Sequence, residues 1–356
     1  MKRFRIAVIP GDGIGREVMP EGIRVLEAVG ARFGLAFQWD EKDWSCRRYM
    51  ETGRFMPYDG LEEIQGQDAI LLGAVGDPAV PDHISLWGLL IPIRRMMRQW
   101  ANLRPVRLMP GVPTPLRDRG PEDIDFVVVR ENSEGEYSEI GGRRDVGGLS
   151  ERAEQLSIFT RQGVDRILHY AFQLARGRPK RHLTSVTKSN GILHTMPFWD
   201  ERFRVIAEEY PDVRTDQYHV DILAANFVLH PDWFDVVVGS NLFGDILSDL
   251  GPAVAGTIGI APSANLNPER EYPSMFEPVH GSAPDIAGKG IANPIGQIWS
   301  GAMMLEHLGE GEAAKAVESA IEEVLLEPGL RTPDMGGRAT TRDLGAAVEE
   351  VVRSSA

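Results

Sequence analysis

Asp245 and Asp249 are four residues apart in the segment Asn-Leu-Phe-Gly-Asp-Ile-Leu-Ser-Asp-Leu-Gly-Pro, which runs from Asn241 to Pro252. If this segment is a helix, the two carboxylates share one face and repel each other by roughly 0.2–0.5 kcal/mol. A divalent cation between them would reverse the sign of that interaction, and carboxylate oxygens are ligands that Mg2+ and Mn2+ prefer. By spacing alone, two solvated aspartates on an exposed turn remain the simpler interpretation. The neighbouring segments have to decide between the two.

The elements around this segment favour a structured site. Residues 234–239 read Phe-Asp-Val-Val-Val-Gly, an apolar and β-branched run that is typical of a buried strand. Ser240 or Asn241 can cap a helix directly after that strand, and Gly251-Pro252 is expected to end it. The pattern therefore predicts that both aspartates lie on a helix at the carboxyl end of a buried strand.

Two other apolar runs deliver charged residues in the same way. The strand predicted for residues 124–129 leads into Arg130-Glu131-Asn132, and the one predicted for residues 183–187 leads into Lys188. Loops at the carboxyl ends of parallel strands line the ligand crevice of α/β folds. For Arg130 the alternative is an ordinary surface turn.

Basic residues before position 105 have two interpretations. Arg94 and Arg95 could form a solvated face, which is the usual meaning of a charge run. Arg104 lies between Leu103 and Pro105 on an otherwise apolar stretch, so a solvated face explains it less well.

Composition restricts the class of protein. The 356 residues suffice for about two lobes, and 42% hydrophobic and 25% charged residues are ordinary for a globular protein. The net charge of −14 argues against nucleic acid or an anionic membrane as the main partner. The single cysteine, Cys46, excludes an internal disulfide framework and a Cys-rich zinc site. The first apolar run ends at Ile9-Pro10, too short for an export signal, and no run is long enough to span a membrane, so we expect a cytoplasmic protein.

A strand expected at residues 5–9 precedes the glycine turn, Gly11-Asp12-Gly13-Ile14-Gly15, and a helix follows it. This order is typical of a dinucleotide-binding fold. Arg16, however, stands where the Rossmann fingerprint requires glycine. A tight connection between strand and helix is therefore the better interpretation.

The 276–294 loop, Phe-Glu-Pro-Val-His-Gly-Ser-Ala-Pro-Asp-Ile-Ala-Gly-Lys-Gly-Ile-Ala-Asn-Pro, contains too much glycine and proline for a helix or a regular strand. Connections of this length are usually functional. The backbone N–H groups of Gly281 and Ser282 could bind phosphate oxygens.

Four segments together carry a resemblance to a known family. They are the glycine turn, Asn102-Leu103-Arg104-Pro105, Gly244-Asp245-Ile246-Leu247-Ser248-Asp249 and the 276–294 loop. In these the chain resembles the metal-dependent β-decarboxylating dehydrogenases, which include isopropylmalate and isocitrate dehydrogenases. The match covers essentially the whole chain and is closest to the members that act on D-malate and tartrate.

The resemblance implies an α/β fold of the isocitrate/isopropylmalate dehydrogenase type, in which two lobes share a large mixed sheet and neither lobe is a Rossmann domain. Residues 1–103 and 256–356 would form the cofactor-binding lobe. Residues 104–255 would form the lobe for substrate, metal and dimerisation, with an extended arm at about 139–158. A homodimer is implied, with Lys188 and Asp221 reaching into the partner's site.

The resemblance also implies roles for residues. The substrate carboxylates would be bound by Arg94, Arg104 and Arg130; the metal by Asp221, Asp245 and Asp249; the acid–base pair would be Tyr137 and Lys188. NAD would be bound by Glu277, His280, Gly281, Ser282, Ala283, Asp285 and Asn293. Asp285 would pair with the ribose 2′-hydroxyl and repel a 2′-phosphate, which favours NAD over NADP. Mn2+ or Mg2+ is the implied metal, and the family allows a monovalent cation such as K+ as well.

Substrate choice is expected to depend on the segment before Arg94, where His83, Ser85 and Trp87 lie. The spacing from Gly88 to Arg94 is one residue longer than in the isopropylmalate pattern Gly-Leu-Leu-Ser-Leu-Arg. Trp87 is expected to fill the space that a branched alkyl group needs. We therefore expect NAD-dependent oxidation and β-decarboxylation of D-malate to pyruvate and CO2, with tartrate as a related substrate.

Two alternatives remain open at this point. A 3-isopropylmalate dehydrogenase would have the same fold, and a substrate panel separates the two. A non-catalytic subunit that binds nucleotide and metal is the more remote alternative, because the chain keeps Tyr137, Lys188 and all three aspartates.

Overall fold

The computed structural model describes residues 1–354, and in that part of the chain helices alternate with strands. The strands are β1 (Lys2–Gly11), β2 (Leu35–Glu41), β3 (Ala69–Ala74), β4 (Ala101–Arg107), β5 (Asp125–Glu131), β6 (Gly141–Arg144), β7 (Arg152–Gln155), β8 (His182–Thr187), β9 (Arg214–His219), β10 (Val236–Gly239), β11 (Pro262–Leu266) and β12 (Ser274–Pro278).

The α-helices of the same residues are α1 (Gly15–Phe33), α2 (Cys46–Thr52), α3 (Gly60–Gln65), α4 (Asp82–Ser85), α5 (Ile91–Met96), α6 (Arg161–Gly177), α7 (Thr195–Ala207), α8 (Val220–Leu229), α9 (Asn241–Val254), α10 (Ile295–His307), α11 (Gly311–Leu325) and α12 (Thr341–Ser354). A π-helical turn, Leu86–Leu90, joins α4 to α5. Short 3-10 turns lie at Pro231–Trp233, Ile258–Ile260, Pro328–Leu330 and Pro333–Met335.

The expected α/β class with a large mixed sheet is confirmed, and the described residues fall into two compact units. The first unit contains residues 1–99, residues 104–124 and the chain from residue 252 onward. Its strands follow the order β2-β1-β3-β12-β11, in which only the β11–β12 pair is antiparallel. Helix α1 packs against α10 and α12, and its glycine-turn start follows directly from β1.

The second unit contains residues 100–103 and 125–251. Its parallel strands follow the order β5-β10-β8-β9, and Val-rich β5 and β10 are buried, as both faces of a parallel sheet usually are. Strands β6 and β7 form a separate antiparallel ribbon, with Gly141 opposite Gln155, inside the segment where the arm was expected.

Residues 104–124 lie with the first unit, whereas the sequence had assigned them to the middle lobe. The contacts that hold them come from later parts of the chain. Arg107 pairs with Glu322 of α11 at 2.7 Å, and Thr114 Oγ1 donates to the carbonyl of Val254 at 2.7 Å. The latter bond also supports the last turn of α9, which continues past Pro252 instead of ending there as expected.

In the described residues, no helix combines the length and apolar character that crossing a membrane requires.

Candidate active site

Strand β10 and helix α9 position the aspartates as expected. Helix α9 begins at Asn241, directly after β10, and β10 pairs in parallel with β5 so that Gly239 lies opposite Arg130. Gly244 permits the close approach of the two elements, because a Cβ there would lie 2.6 Å from the Cβ of Arg130. The start of α9 is therefore held against the end of β5.

Arg130 and Tyr137 both bind the carboxylate of Asp245. Arg130 forms an ion pair with Oδ1 through Nη1, and the Tyr137 hydroxyl donates to Oδ2 at 2.5 Å. Asn241 Oδ1 accepts from Nε and Nη2 of Arg130 at 3.0 and 2.7 Å, which fixes the guanidinium plane. The Arg130 side chain is only 2% exposed. A buried cation and a phenolic proton donor are thus assembled on one carboxylate.

Asp249 lies one turn after Asp245 on α9 and is exposed. Hard carboxylate oxygens on one helix face suit Mg2+ or Mn2+. Within residues 1–354, however, no three His, Cys, Asp or Glu side chains are arranged to hold a metal ion. The described residues of one chain therefore present Asp245 and Asp249 as two carboxylates that are one helical turn apart.

Lys188 and Asp221 form a second charged pair in the same unit. Strands β8 and β9 are parallel, with Thr187 opposite His219, so the residues that follow each strand come close together. The Lys188 Nζ lies 2.6 Å from Asp221 Oδ1, and the Asp221 side chain is 66% exposed. This hydrogen bond lowers the pKa of the Asp221 carboxyl below its usual value. The aspartate therefore stays ionised on an open surface.

Arg94 and Arg104 are both buried in the first unit, Arg94 on α5 and Arg104 on β4. Arg94 Nη2 donates to Glu277 Oε1 at 2.9 Å, and Asn265 donates to the same oxygen at 2.7 Å. The Nε of Arg94 is buried without a hydrogen-bond partner in residues 1–354. Glu277 was expected to bind cofactor, and in this structure its carboxylate orients a predicted substrate arginine.

The glycine turn packs on the 276–294 loop. The N–H of Ile14 donates to the carbonyl of Ser282 at 2.9 Å. A Cβ at Gly13 would lie 2.0 Å from the same carbonyl oxygen, and Gly13 has a φ of +52°. Glycine is therefore required at this position because any side chain would collide with the backbone of the loop.

Glu17 of α1 holds a later part of the same loop. Its two carboxylate oxygens accept from the N–H groups of Gly288 at 2.5 Å and Gly290 at 2.8 Å. The preceding turn is closed by bonds from the N–H groups of Ile286 and Ala287 to the carbonyl of Ala283, each 3.1 Å long. The predicted cofactor residue Asp285 lies exposed on this turn.

His280 and Asn293 have different surroundings in the 276–294 loop. Burial lowers the pKa of His280, so its ring stays neutral. Nδ1 lies 3.0 Å from the Gly281 carbonyl, and Nε2 is buried without a hydrogen-bond partner in the described chain, which leaves it available to a ligand. Asn293 donates to Asp334 and accepts from the N–H of Ile295, both at 3.0 Å, so its amide is already engaged. Gly281 is exposed and Ser282 is buried.

The expected specificity segment forms α4 and the π-helical turn. His83 is exposed, Ser85 is buried with its hydroxyl donating to the Asp82 carbonyl at 3.0 Å, and Trp87 stacks on the guanidinium of Arg95 at 4.9 Å. Trp87 therefore packs on Arg95.

Two residues that hold predicted site residues in place were not singled out from the sequence: Glu17 in the first unit and Glu136 in the second. Asn241 was expected only as a helix cap, and it also fixes Arg130. Glu136 accepts from the Ser240 hydroxyl at 2.8 Å and from the N–H of Leu242 at 3.1 Å, and so caps α9. The pairing of Glu136 with α9 joins residues that are 104 and 106 positions apart, so it is not a local property of the sequence. Nothing in the sequence near Glu17 points to residues 288–290.

Comparison with known proteins identifies the family of the chain. The family described as isocitrate/isopropylmalate dehydrogenase matches residues 5–348. The chain is 60% identical to D-malate dehydrogenase [decarboxylating] of Escherichia coli (strain K12) over 99% of each chain. It is 59% identical to tartrate dehydrogenase/decarboxylase of Pseudomonas putida over 98% of each.

A solved structure is similar throughout. The crystal structure of isocitrate dehydrogenase from Methylococcus capsulatus superposes with a TM-score of 0.89 at 36% identity, covering 99% of this chain and 100% of that one. The fold, the ordered motifs and the relatives lead to one conclusion: this chain belongs to the isocitrate/isopropylmalate dehydrogenase family.

Proposed function

We propose that the protein oxidises D-malate at C2 with NAD and a divalent cation and releases the β-carboxylate as CO2 to give pyruvate. Tartrate is the related substrate. The observation that carries this proposal is the convergence of Arg130 and Tyr137 on Asp245. It assembles a carboxylate-binding cation, a proton donor and a hard oxygen ligand at one place. The similarity to relatives named for D-malate and tartrate supports the choice of substrate.

Asp245 and Asp249 would hold Mn2+ or Mg2+ together with oxygens of the substrate. Their carboxylates are the right donors, and one turn of helix separates them. When bound, the cation polarises the C2 oxygen of the substrate, and NAD accepts the hydride from C2.

Arg94, Arg104 and Arg130 would bind the two carboxylates of the substrate. All three are buried, and a guanidinium fork can grip a carboxylate in bidentate fashion. The buried Nε of Arg94, which has no hydrogen-bond partner among the described residues, is a donor for this purpose. The same arginines hold the substrate while the bond between C3 and the C4 carboxylate breaks.

Lys188 and Tyr137 would move the protons. Once Lys188 has released a proton and is the neutral amine, it takes the proton of the C2 hydroxyl as the hydride leaves. After loss of CO2 the Tyr137 hydroxyl gives a proton to C3, which completes pyruvate. The bond from Tyr137 to Asp245 keeps the phenolic oxygen beside the carboxylate that binds the cation.

The 276–294 loop would bind NAD. The neutral His280 ring offers Nε2 to the cofactor, and exposed Asp285 can accept from the ribose 2′-hydroxyl. The negative charge of Asp285 would repel a 2′-phosphate, so NAD is preferred over NADP.

A second copy of the chain would complete the site. Apolar residues on α8 and α9 are exposed, namely Ile222, Leu229 and Ile246. The β6–β7 ribbon is exposed along its whole length, and a two-stranded ribbon alone is marginally stable in water. Asp221 is adjacent to Ile222, so a partner that covers this surface brings the Lys188–Asp221 pair of one chain to the Asp245 of the other.

The test is initial-rate kinetics with D-malate, tartrate, 3-isopropylmalate and isocitrate, each with NAD or NADP and Mn2+, with and without EDTA. We expect the highest kcat/KM with D-malate and NAD, and loss of NADH production in EDTA. A clear preference for 3-isopropylmalate would overturn the substrate. Absence of NADH production with every substrate would favour a non-catalytic subunit.

A further inference from the structure

The helical segment before Arg94 includes a wide turn that contains one residue more than a turn of an α-helix. The N–H of Ile91 donates to the carbonyl of Leu86, five residues earlier, which makes Leu86–Leu90 a π-helical turn. Building on the proposed function, we infer that this turn aligns Leu86 with Arg94 and makes Leu86 the side chain that limits the C3 substituent of the substrate.

The spacing of the buried residues in this segment reflects the extra residue. Leu89, Ile93 and Met97 follow each other at steps of four and are all 0–1% exposed in one apolar cluster. Ile84, which packs against the same cluster, precedes Leu89 by five residues. The buried residues are otherwise spaced by four, and a single spacing of five is what one π-helical turn produces.

The opposite face shows the same shift. Trp87 stacks on Arg95, eight residues later, at 4.9 Å. In an unbroken α-helix, residues seven apart share a face, whereas residues eight apart differ by about 80°. The added residue in the π-helical turn removes that difference, and residues eight apart come into line.

Leu86 and Arg94 are also eight residues apart and lie on either side of the same turn. By the same geometry, Leu86 shares the face of Arg94, and Trp87 shares the neighbouring face of Arg95. Leu86 is half-buried, outside the apolar cluster that takes up Leu89. A half-buried apolar side chain thus shares the helix face of the arginine that is proposed to bind a substrate carboxylate.

The turn is fixed from behind. A Cβ at Gly88 would lie 2.4 Å from the Phe55 ring, and Phe55 belongs to the same apolar cluster as Leu89. The glycine lets the helix pack closely against that ring, and this contact opposes a rotation of the segment that would exchange Leu86 for Trp87. This assigns Leu86 the steric role that the sequence had suggested for Trp87, and makes Trp87 a positioning residue that acts through Arg95.

The experiment compares kcat/KM for D-malate, tartrate and 3-isopropylmalate in the wild type, Leu86→Ala, Leu86→Phe and Trp87→Ala. For Leu86→Ala we expect the ratio of 3-isopropylmalate to D-malate to rise about tenfold or more, as removal of pocket methylenes allows. For Leu86→Phe we expect tartrate, which carries a C3 hydroxyl, to lose more than D-malate, which carries hydrogen there. Leu326→Ala, an exposed leucine in the same unit, is the matched control and should leave the ratios unchanged.

A rise of the ratio in Trp87→Ala with no change in Leu86→Ala would overturn the inference in favour of Trp87. Unchanged ratios in both variants, with wild-type D-malate oxidation intact, would contradict the inference alone. Wild-type protein that fails to oxidise D-malate and tartrate would contradict the proposed function instead.

Discussion

Lys188 donates to Asp221 across 2.6 Å on an exposed surface of the second unit, next to the apolar residue Ile222. Lys188 follows β8 and Asp221 follows β9. These two strands are parallel neighbours, so the sheet brings the two side chains together. In the dimer proposed above, this pair would contribute to the site of the second copy of the chain.

Subunit complementation tests this assignment. Asp245→Asn and Lys188→Ala homodimers should each be nearly inactive. In a heterodimer of the two variants, one site carries both changes and the other carries neither, so about half of the wild-type activity per dimer should return. Co-expression with two affinity tags and a D-malate assay measures it. A heterodimer as inactive as both parents would place Lys188 in the same chain's site.

Asp245→Asn should weaken metal binding and chemistry together. The amide keeps the shape of the side chain but loses the charge that a cation needs, so we expect kcat to fall by more than about 100-fold and half-saturating Mn2+ to rise. Metal titrations of activity and of Mn2+ binding check both. The control is Glu62→Gln, a substitution at an exposed position of α3. Unchanged activity of Asp245→Asn at limiting Mn2+ would contradict the metal-binding role of Asp245.

Tyr137→Phe should separate oxidation from completion of the product. The phenylalanine keeps the ring beside Arg130 but cannot give a proton to C3. We expect NADH formation to survive better than pyruvate formation, measured as the ratio of the two yields in single-turnover experiments. Equal retention of both yields would contradict the protonation role.

Glu17→Gln should weaken cofactor binding more than chemistry. Only one of the two N–H groups at Gly288 and Gly290 can then find an acceptor, because the amide NH2 faces the other. We expect KM for NAD to rise roughly tenfold, which is about 1.4 kcal/mol, with a smaller change in kcat. Equal effects on kcat and KM, or a matching loss in Glu62→Gln, would argue against a specific hold on the loop.

His307 predicts an acid-dependent loss of stability. Burial, with a smaller effect from Arg270, lowers the pKa of His307 from 6.5 to about 4. Between pH 6.5 and 4, His307 is therefore protonated in the unfolded chain and neutral in the folded chain. The free energy of unfolding consequently falls as the pH drops through this range. The group contributes on the order of 3 kcal/mol to that fall. Urea unfolding at several pH values should show a shallower decline in His307→Gln, and parallel curves would exclude His307 as the cause.

The sequence by itself determined the local parts of this protein. Strand β10 followed by a helix with Asp245 and Asp249 was predicted from β-branched residues, a cap and the spacing of four. These signals act between neighbours in the chain, so they can be found without the fold. The one-residue excess between Gly88 and Arg94 was also visible, but its form as a π-helical turn was not.

Tertiary structure alone decided which distant residues meet. Arg130 and Tyr137 reach Asp245 across more than 100 positions of sequence, and Glu17 reaches Gly288 across 271. Strand order and helix packing set these contacts, and neither leaves a periodic trace in the residues concerned. The same holds for residues 104–124, whose unit is chosen by partners in α11 and at Val254. The types and local spacing of the side chains can be read from the sequence, whereas their pairing depends on how the buried strands and helices pack together.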